Sequence, residues 1–493
     1  MSLGKVIIAG GGVGGLVAGI YAQKEGFESI IYEKNTLPGG ECTGWNRDGF
    51  HIDGCIHWLV GTKEGRNMNR IWKETGALEG VDVYQPESFT TVMHEEGNLV
   101  IWRDIKKLRE SLLELSPGDR DAIEEFIESV YAFGSFEPLV DKPSEMLNFF
   151  EKIRFIYQNR KVFKKINKYS RLSIKDYKDR FKSPLIRTAF DQIVPEKYSA
   201  YSLFFTLAAF VEDNAGIPSG GSKAFSERLV KKYESLGGQI VYNSSVNEII
   251  IDGNNATGMI LEGGERVFGD YMITACDPYV VFNKLLKGSF YDEQFTERYE
   301  QSETYPLQTS VYASFSVDTD LSSFPRNSVF NIKGLCFEDQ TIDKLSMKHF
   351  CHEPSFSPEG KSVIAVYLDA GYEWWRDLYN DKKSYRDEKE RLATDILRRL
   401  EERFPDLSGK LGVLDIATPV TYERYCGAYN GSWLSFGTTP QSEPLRHTGK
   451  IEGIKNLYMT GQWFMSPGGL PAAAITGKWT VARMCRDKSK FTQ

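Results

Sequence analysis

Five glycines near the amino terminus are the first residues whose spacing suggests a binding site. They occupy positions 10–12, 14 and 15, directly after the apolar stretch Lys5–Ala9. Gly10 permits a tight turn, Gly12 lets a pyrophosphate approach the backbone, and Gly15 lets a helix pack closely on a strand. A helix that begins here would direct free N–H groups and the positive end of its dipole at the phosphates.

The elements needed to position these glycines surround them. Residues 5–9 predict a buried strand, a helix follows the glycines to about Glu25, and residues 29–32 predict a second strand. Glu33 closes that strand, where its carboxylate can accept both ribose hydroxyls of an adenosine. The order strand, helix, strand and carboxylate is the one that a dinucleotide site requires. The sequence predicts a bound dinucleotide, but this unit alone does not separate FAD from NAD.

Further motifs resemble those of one family of flavoenzymes. They are Pro38-Gly39-Gly40, Gly49-Phe50-His51-Ile52-Asp53, Gly216-Ile217-Pro218-Ser219-Gly220-Gly221-Ser222, Asn456-Leu457-Tyr458-Met459-Thr460-Gly461-Gln462-Trp463 and Pro467-Gly468-Gly469-Leu470-Pro471-Ala472-Ala473. Here the chain is similar to the phytoene desaturase-like and retinol saturase-like family of FAD-dependent oxidoreductases, in the flavin amine oxidase superfamily. The resemblance covers both ends and the middle of the chain. It implies FAD as cofactor and an α/β fold with a two-dinucleotide-binding, Rossmann-like FAD domain.

The resemblance also implies which residues hold the FAD. They are Gly10, Gly12, Val13, Gly14, Gly15, Glu33, Lys34, Gly39, Gly40, Ile56, His57, Val246, Ala275, Gly461, Gln462, Leu470 and Pro471. A strand ending at Gly461 would let the backbone approach the ribityl chain. A helix from about Pro471 would direct its positive end at the flavin N1/C2 carbonyl. Gln462 departs from the acidic residue common in the wider superfamily, although an amide can still bond the ribityl hydroxyls.

These motifs divide the chain into an FAD domain interrupted by two inserts. We expect the discontinuous FAD domain at residues 1–75, 213–285 and 412–493. Residues 76–130 and 286–411 would form a substrate domain with a sheet, because segments 88–94 and 99–102 predict a hairpin and segments 310–316 and 363–369 predict strands. Residues 131–212 would form a helical lid.

The resemblance implies an enzyme that transfers a hydride between a substrate carbon and flavin N5. It would desaturate, saturate or isomerise C=C bonds of a hydrophobic isoprenoid or polyene substrate, and the direction stays open. His57 is the candidate catalytic residue, because the resemblance places its segment beside the reactive flavin face; a structural role is the alternative. Two other functions remain open: a flavin amine oxidase-type enzyme on a smaller substrate, and an FAD-free lipid carrier of this fold, as in Rab GDP-dissociation inhibitors.

A basic segment at residues 152–187 contrasts with the acidic chain. It holds thirteen Lys and Arg and two acids, whereas the net charge of the whole chain is -7. Aromatic and aliphatic residues lie between the cations. Basic and apolar faces on one helix favour an anionic membrane surface, and a solvated lid helix is the alternative. We expect residues from about 150 to 211 to form a helical lid that touches a membrane.

Composition limits the kinds of site, partner and location that we expect for this chain. The hydrophobic fraction of 41% and the charged fraction of 26% are ordinary for a globular protein. Seven widely spaced cysteines make no disulfide framework, and Cys351-His352 has no second pair to complete a metal site. No recognition module accompanies the basic segment, so we expect no nucleic-acid partner. Without a signal peptide or a spanning segment, we expect a cytoplasmic protein that can attach peripherally to the inner face of the membrane.

Overall fold

Strands and helices alternate through most of the chain in the computed structural model, which describes residues 2–95 and 97–491. The strands are β1 (Lys5–Ala9), β2 (Glu28–Tyr32), β3 (Gly44–Arg47), β4 (Phe50–Asp53), β5 (Leu59–Val60), β6 (Val83–Tyr84), β7 (Ser88–His94), β8 (Gly97–Trp102), β9 (Ala215–Pro218), β10 (Gln239–Val241), β11 (Val246–Asp252), β12 (Asn255–Leu261), β13 (Arg266–Phe268), β14 (Tyr271–Thr274), β15 (Ser310–Val317), β16 (Asn327–Phe337), β17 (Gln340–His349), β18 (Ser362–Asp369), β19 (Leu411–Ala417) and β20 (Leu457–Met459). The helices are α1 (Val13–Lys24), α2 (Asn67–Glu74), α3 (Ile105–Leu115), α4 (Arg120–Phe133), α5 (Phe149–Gln158), α6 (Arg160–Tyr169), α7 (Ile174–Lys178), α8 (Pro184–Asp191), α9 (Tyr201–Val211), α10 (Gly221–Ser235), α11 (Pro278–Val280), α12 (Glu293–Glu300), α13 (Tyr372–Asn380), α14 (Lys382–Arg403), α15 (Pro419–Cys426) and α16 (Gly469–Phe491).

A five-stranded parallel sheet organises the cofactor end of the molecule. Its order is β10-β2-β1-β14-β20, so that segments far apart in sequence lie side by side. Helix α1 packs against α10 and α16, and Val6, Ile7 and Ile8 of β1 are fully buried. Strands covered on both faces are apolar throughout, which is why β1 was predictable. This sheet confirms the predicted α/β fold with a Rossmann-like domain.

A three-stranded antiparallel sheet, β11-β12-β13, follows β10 and precedes β14. After it the chain returns to the parallel sheet, where β14 pairs with β1 in the register Ala9↔Thr274. The carboxyl ends of parallel strands share one edge. The glycines after β1, Glu33 after β2, Ala275 after β14 and Gly461 after β20 therefore meet at that edge.

A seven-stranded sheet forms the second large layer, in the order β19-β15-β18-β17-β16-β7-β8. The predicted hairpin of β7 and β8 joins it, although Glu96 in its turn lies outside the described residues. β16 and β17 were not predicted. β19 begins beside the predicted boundary at 411/412 and pairs with β15 of this sheet. The domain boundaries as a whole stay a prediction.

One face of this sheet points towards the cofactor end. Tyr312 and Tyr367 are cross-strand partners, and Tyr367 is also opposite Ser346. Side chains two residues apart on a strand share a face. Lys348 therefore lies on the same face as both tyrosines.

Residues 105–211 form helices α3 to α9, and the basic segment is divided among several of them. The segment runs through α5, α6, α7 and the start of α8, so its cations are spread over several helices. Capping boxes at Asn148 and Ser173 begin α5 and α7, and the Ser183 side chain caps α8. Such side chains satisfy the N–H groups at a helix start and so fix where a new helix begins.

Candidate functional site

Two glycines at the shared strand edge face open space. Gly12, at φ -70° before α1, has no heavy atom nearer than 3.8 Å to the position where a Cβ would stand. Gly461, at φ +127°, has none within 4 Å. A Cβ on Gly14 would lie 3.0 Å from the Gly461 Cα, so the two glycine motifs are adjacent. This open cradle fits the pyrophosphate and ribityl chain of a flavin dinucleotide.

The start of α1 adds donors to that cradle. The first backbone hydrogen bond of the helix is donated by Leu16 N to Gly12 O, at 2.9 Å. The N–H groups of Val13, Gly14 and Gly15 precede it and have no partner within the helix. Helix starts of this kind bind phosphate groups. Val13 itself is buried and packs into the core beneath the cradle.

Four other predicted glycines, Gly10, Gly15, Gly39 and Gly40, are required by close packing or by a positive φ. A Cβ on Gly15 would stand 2.0 Å from Gly10 O, and Gly10 has a φ of +101°. A Cβ on Gly39 would stand 2.2 Å from Cys42 O, and Gly39 N donates to Gly11 O at 2.8 Å. Gly40, at φ +61°, then lies beside Gly12. These positions need glycine whether or not a ligand is bound.

Glu33 is buried at the end of β2, where its two carboxylate oxygens accept backbone hydrogen bonds. Oε2 accepts from Gly11 N at 2.7 Å and Oε1 from Asn35 N at 2.8 Å. Ser244 N donates to Glu33 O at 2.8 Å, which brings the chain before Val246 beside this carboxylate. Each oxygen retains acceptor capacity for a ribose hydroxyl. Lys34 is exposed and donates instead to Arg424 O at 2.9 Å.

The carboxyl-terminal motif surrounds the cradle from the other side. Gln462 Oε1 accepts from Gly469 N at 2.9 Å, and its Nε2 donates to Glu41 Oε2 at 3.2 Å. Leu470 and Pro471 lie in the first turn of α16. Ala275 N donates to Ala9 O at 2.8 Å, which closes the edge after β14.

Glu41 is a site residue that the sequence reasoning missed. Burial raises the pKa of its carboxyl well above the usual value. A raised pKa favours the protonated carboxyl, which can donate a hydrogen bond. Its position directly after Gly39-Gly40 was the available signal.

The loop that carries Ile56 and His57 is held by a buried carboxylate. Asp53 Oδ1 accepts from the N–H groups of Cys55 and Ile56 at 3.2 Å each. Asp53 Oδ2 accepts from Ser222 N at 2.7 Å, and Ser222 Oγ accepts from Ile56 N at 2.7 Å. Two of the quoted motifs thus meet in one network, which fixes the backbone beside His57.

His57 connects this loop to the seven-stranded sheet. Its Nε2 is hydrogen-bonded to the Tyr367 hydroxyl, and its backbone oxygen accepts from Arg326 Nη2 at 3.0 Å. Burial first, and then the charges of Lys348 and Arg326, lower the pKa of His57 well below its usual value. The ring is therefore neutral at physiological pH. Sequence reasoning missed Tyr367, Arg326 and Lys348, because no local pattern connects them with His57.

We infer an internal space between the loop and the sheet, because four side chains there combine partial exposure with strong desolvation. Glu41, His57, Tyr367 and Tyr422 each retain some accessible surface, although burial is the largest cause of the pKa shift of each. Side chains that are partly accessible yet strongly desolvated line an internal space. Aromatic rings pack around this junction: Trp58 lies on Phe89 at 5.0 Å, and Tyr312 lies on Tyr367 at 4.6 Å between ring centroids.

Residues 2–95 and 97–491 contain no group of three or more His, Cys, Asp or Glu side chains placed to hold a metal ion. In the same part of the chain, every helix is too short or too polar to span a bilayer.

Comparison with known proteins gives consistent results along the whole chain. The family model described as flavin containing amine oxidoreductase matches residues 13–485. Prolycopene isomerase of Daucus carota is 25% identical, over 98% of this chain and 80% of that protein. All-trans-retinol 13,14-reductase of Danio rerio is 23% identical, over 98% and 86% of the two chains. A putrescine oxidase triple mutant has the same fold, with a TM-score of 0.64 at 12% identity, over 98% of this chain and 99% of that one.

Proposed function

We propose that this protein uses FAD to change C=C bonds of an isoprenoid or polyene substrate. The chain belongs to the flavin containing amine oxidoreductase family and is a flavin-dependent oxidoreductase. The observation that carries the proposal is the cluster of aromatic rings around His57, in a chain that also has an open glycine cradle with Glu41 bonded to Gln462 beside it. The relatives named as a prolycopene isomerase and a retinol reductase support the substrate class.

The residues at the strand edge would hold the FAD. Gly12 and Gly461 leave room for its backbone contacts, the start of α1 donates to its phosphates, and Glu33 accepts from its ribose. The start of α16, after Gly469, presents its positive end at the same edge. When bound, the flavin supplies a two-electron donor and acceptor for the substrate.

The aromatic walls suit a long apolar substrate. A polyene binds by removing apolar area from water, and rings such as Trp58, Phe89 and Tyr312 provide the complementary lining. His57 is the proposed proton-handling group at this space. Its neutral ring can accept a proton at one nitrogen, and the hydrogen bond to Tyr367 fixes its orientation.

Three substrates separate the candidate reactions. The purified protein should be yellow and should release FAD, not FMN, on denaturation. Under anaerobic conditions the protein would be incubated with prolycopene, with phytoene and a quinone as electron acceptor, or with all-trans-retinol and dithionite as electron donor. The products would be separated by chromatography. We expect turnover of one of the three, which identifies isomerisation, desaturation or saturation. Turnover of putrescine alone would contradict the polyene proposal, and a colourless protein that takes up no added FAD would contradict the cofactor.

We also infer contact with an anionic membrane surface, and the structure favours α5 as the contact element. Five large apolar side chains of this helix are strongly exposed: Phe149 (71%), Phe150 (80%), Ile153 (49%), Ile156 (57%) and Tyr157 (64%). No residue of α5 is buried. Leaving so much apolar surface in water is unfavourable unless something covers it. An amphipathic helix with this composition places its apolar side chains at the acyl boundary of a bilayer.

Many cations of the basic segment already have acidic partners. The pairs are Lys165–Glu128, Lys168–Glu125, Lys178–Asp191, Arg180–Glu125 and Arg187–Asp179. By contrast, Lys152, Arg154, Lys161 and Lys164, on or next to α5, make no ion pair with another described residue. These four cations remain available to anionic headgroups, each worth roughly 1 kcal/mol near the lipid.

Vesicle co-sedimentation tests the membrane contact. At low salt we expect more protein to pellet with phosphatidylserine-containing vesicles than with phosphatidylcholine alone, and the difference to fall at several hundred millimolar salt. The double variant Phe149→Ser/Phe150→Ser should lose most of this binding. Phe268→Ser/Tyr291→Ser, which removes exposed rings elsewhere, is the matched control. Equal pelleting with both vesicle types would leave α5 as a solvated lid helix.

A further inference from the structure

Two cations beside His57 have no acidic partner. Lys348 is only 4% exposed, and neither it nor Arg326 forms an ion pair with any residue in the described ranges. Two nitrogen atoms nearby are buried without a hydrogen-bond partner, Arg326 Nε and His352 Nδ1. Unpaired cations and unsatisfied polar atoms are unusual together in a protein interior. Their presence indicates a group that the protein alone does not provide.

The strand register brings these groups to one place. Lys348 on β17 is opposite Asn327 on β16, and Arg326 directly precedes Asn327. Lys348 Nζ lies 5.3 Å from the centroid of the Tyr367 ring. Arg326 Nη2 donates to His57 O at 3.0 Å, which places the guanidinium beside this loop. Burial first, and then the charge of Arg326, lower the pKa values of Lys348 and His352. The cations therefore border the internal space at Tyr367 and His57.

The nearest acid does not neutralise them. Asp53 is buried, and its oxygens are occupied by Ser222 and by the N–H groups of the His57 loop. Burial lowers the pKa of Lys348 well below its usual value, because no anion of the described residues is beside the ammonium group. A buried charge without a partner is unfavourable, and a bound anion would stabilise the charged forms of Lys348 and Arg326 together.

We propose that Lys348 and Arg326 form an anion subsite that takes the terminal carboxylate of an otherwise apolar substrate chain. Arg326 has N–H groups to spare, because only Nη2 is engaged with His57 O. A guanidinium and an ammonium together can hold both oxygens of a carboxylate. The aromatic walls would hold the apolar chain. This inference rests on the proposed function and adds to it a binding preference for polyenes with an acidic end.

A matched ligand pair tests the subsite without changing the protein. All-trans-retinoate and all-trans-retinol share one polyene and differ at its end. Quenching of tryptophan fluorescence would measure binding to the flavin-loaded protein, because Trp58 packs at His57 with ring centroids 6.1 Å apart. We expect the Kd for retinoate to be at least tenfold lower than the Kd for retinol. Equal Kd values, or no binding of retinoate, would overturn the subsite.

Variants then test which side chains cause the preference for retinoate over retinol. Lys348→Met should reduce the retinoate preference to less than threefold, and Lys348→Arg should restore most of it, while flavin content and Tm confirm folding. A preference that survives in Lys348→Met and in Arg326→Met would place the carboxylate elsewhere and refute the assignment. Turnover of prolycopene or phytoene by wild-type protein with equal retinoid Kd values would leave the proposed function standing and only the subsite refuted.

Discussion

The substitution Gly12→Ala tests whether Gly12 is required for ligand binding and not for folding. In the protein by itself the new methyl group fits, because the nearest heavy atom is Gly39 O at 3.8 Å. Gly12 has φ -70° and ψ 174°, which alanine adopts readily. Restricting the unfolded chain stabilises by about 0.4–1 kcal/mol. Losing glycine at the N-cap destabilises by about 1 kcal/mol, so the two effects nearly cancel.

The effect on FAD should be large. The methyl group would occupy the space for the pyrophosphate and separate it from the start of α1. Two charge-assisted hydrogen bonds of about 1.5–3 kcal/mol each would be lost. At about 1.4 kcal/mol per tenfold, the Kd for FAD should rise at least 100-fold.

Calorimetric titration of the apoprotein with FAD measures the change in Kd. The Tm of the apoprotein measures its stability. Gly118→Ala is the matched control, because Gly118 is exposed and the nearest atom to its added Cβ is Lys182 Nζ at 3.8 Å. An FAD Kd for Gly12→Ala within threefold of wild type would show that the pyrophosphate does not lie at Gly12.

Three further outcomes follow from the same geometry. Gly15→Ala should destabilise even the apoprotein, by about 3 kcal/mol or more, because its Cβ would stand 2.0 Å from Gly10 O; an unchanged Tm would contradict this. Glu33→Ala should weaken FAD binding by about 2–3 kcal/mol, seen in the same titration, and an unchanged Kd would remove Glu33 from the site. Burial raises the pKa of Asp277 from 3.8 to about 6, so the unfolding free energy should fall by about 3 kcal/mol as pH rises from about 4 to about 6. Urea unfolding across this range should show the loss in wild type and not in Asp277→Asn, and parallel pH profiles would contradict it.

The amino-terminal unit was predictable because its determinants are local. A buried parallel strand is apolar throughout, a glycine run precedes the helix, and Glu33 follows the next strand, all within 33 residues. Strand β1 has the predicted bounds, and β2 begins one residue earlier than predicted. Many of the cofactor residues proposed from the resemblance lie at one sheet edge, whereas Ile56 and His57 lie on the loop held by Asp53, and Lys34 donates to Arg424. Their roles stay a prediction until binding is measured.

Other elements have no such local signal. In β17 the first half is largely exposed and carries Asp343 and Lys344, so the apolar alternation of a half-buried strand is missing. The basic segment shows the same limit for charge. The acids that pair with Lys165, Lys168 and Arg180 lie in α4, outside the segment, so their neutralising effect could not be read from it.

Sequence alone predicts the first strand, the glycine turn and the helix after it, because backbone conformation and burial pattern are properties of neighbouring residues. The family was identified from the resemblance of the glycine motifs. Whether a glycine faces open space, as Gly12 does, or a backbone oxygen, as Gly15 does, depends on the chain segments packed around it in the fold. The tertiary structure also decides what surrounds His57. Arg326 and Tyr367 are 269 and 310 residues away in sequence, and an ion pair or hydrogen bond depends on distance in space, which sequence spacing does not specify.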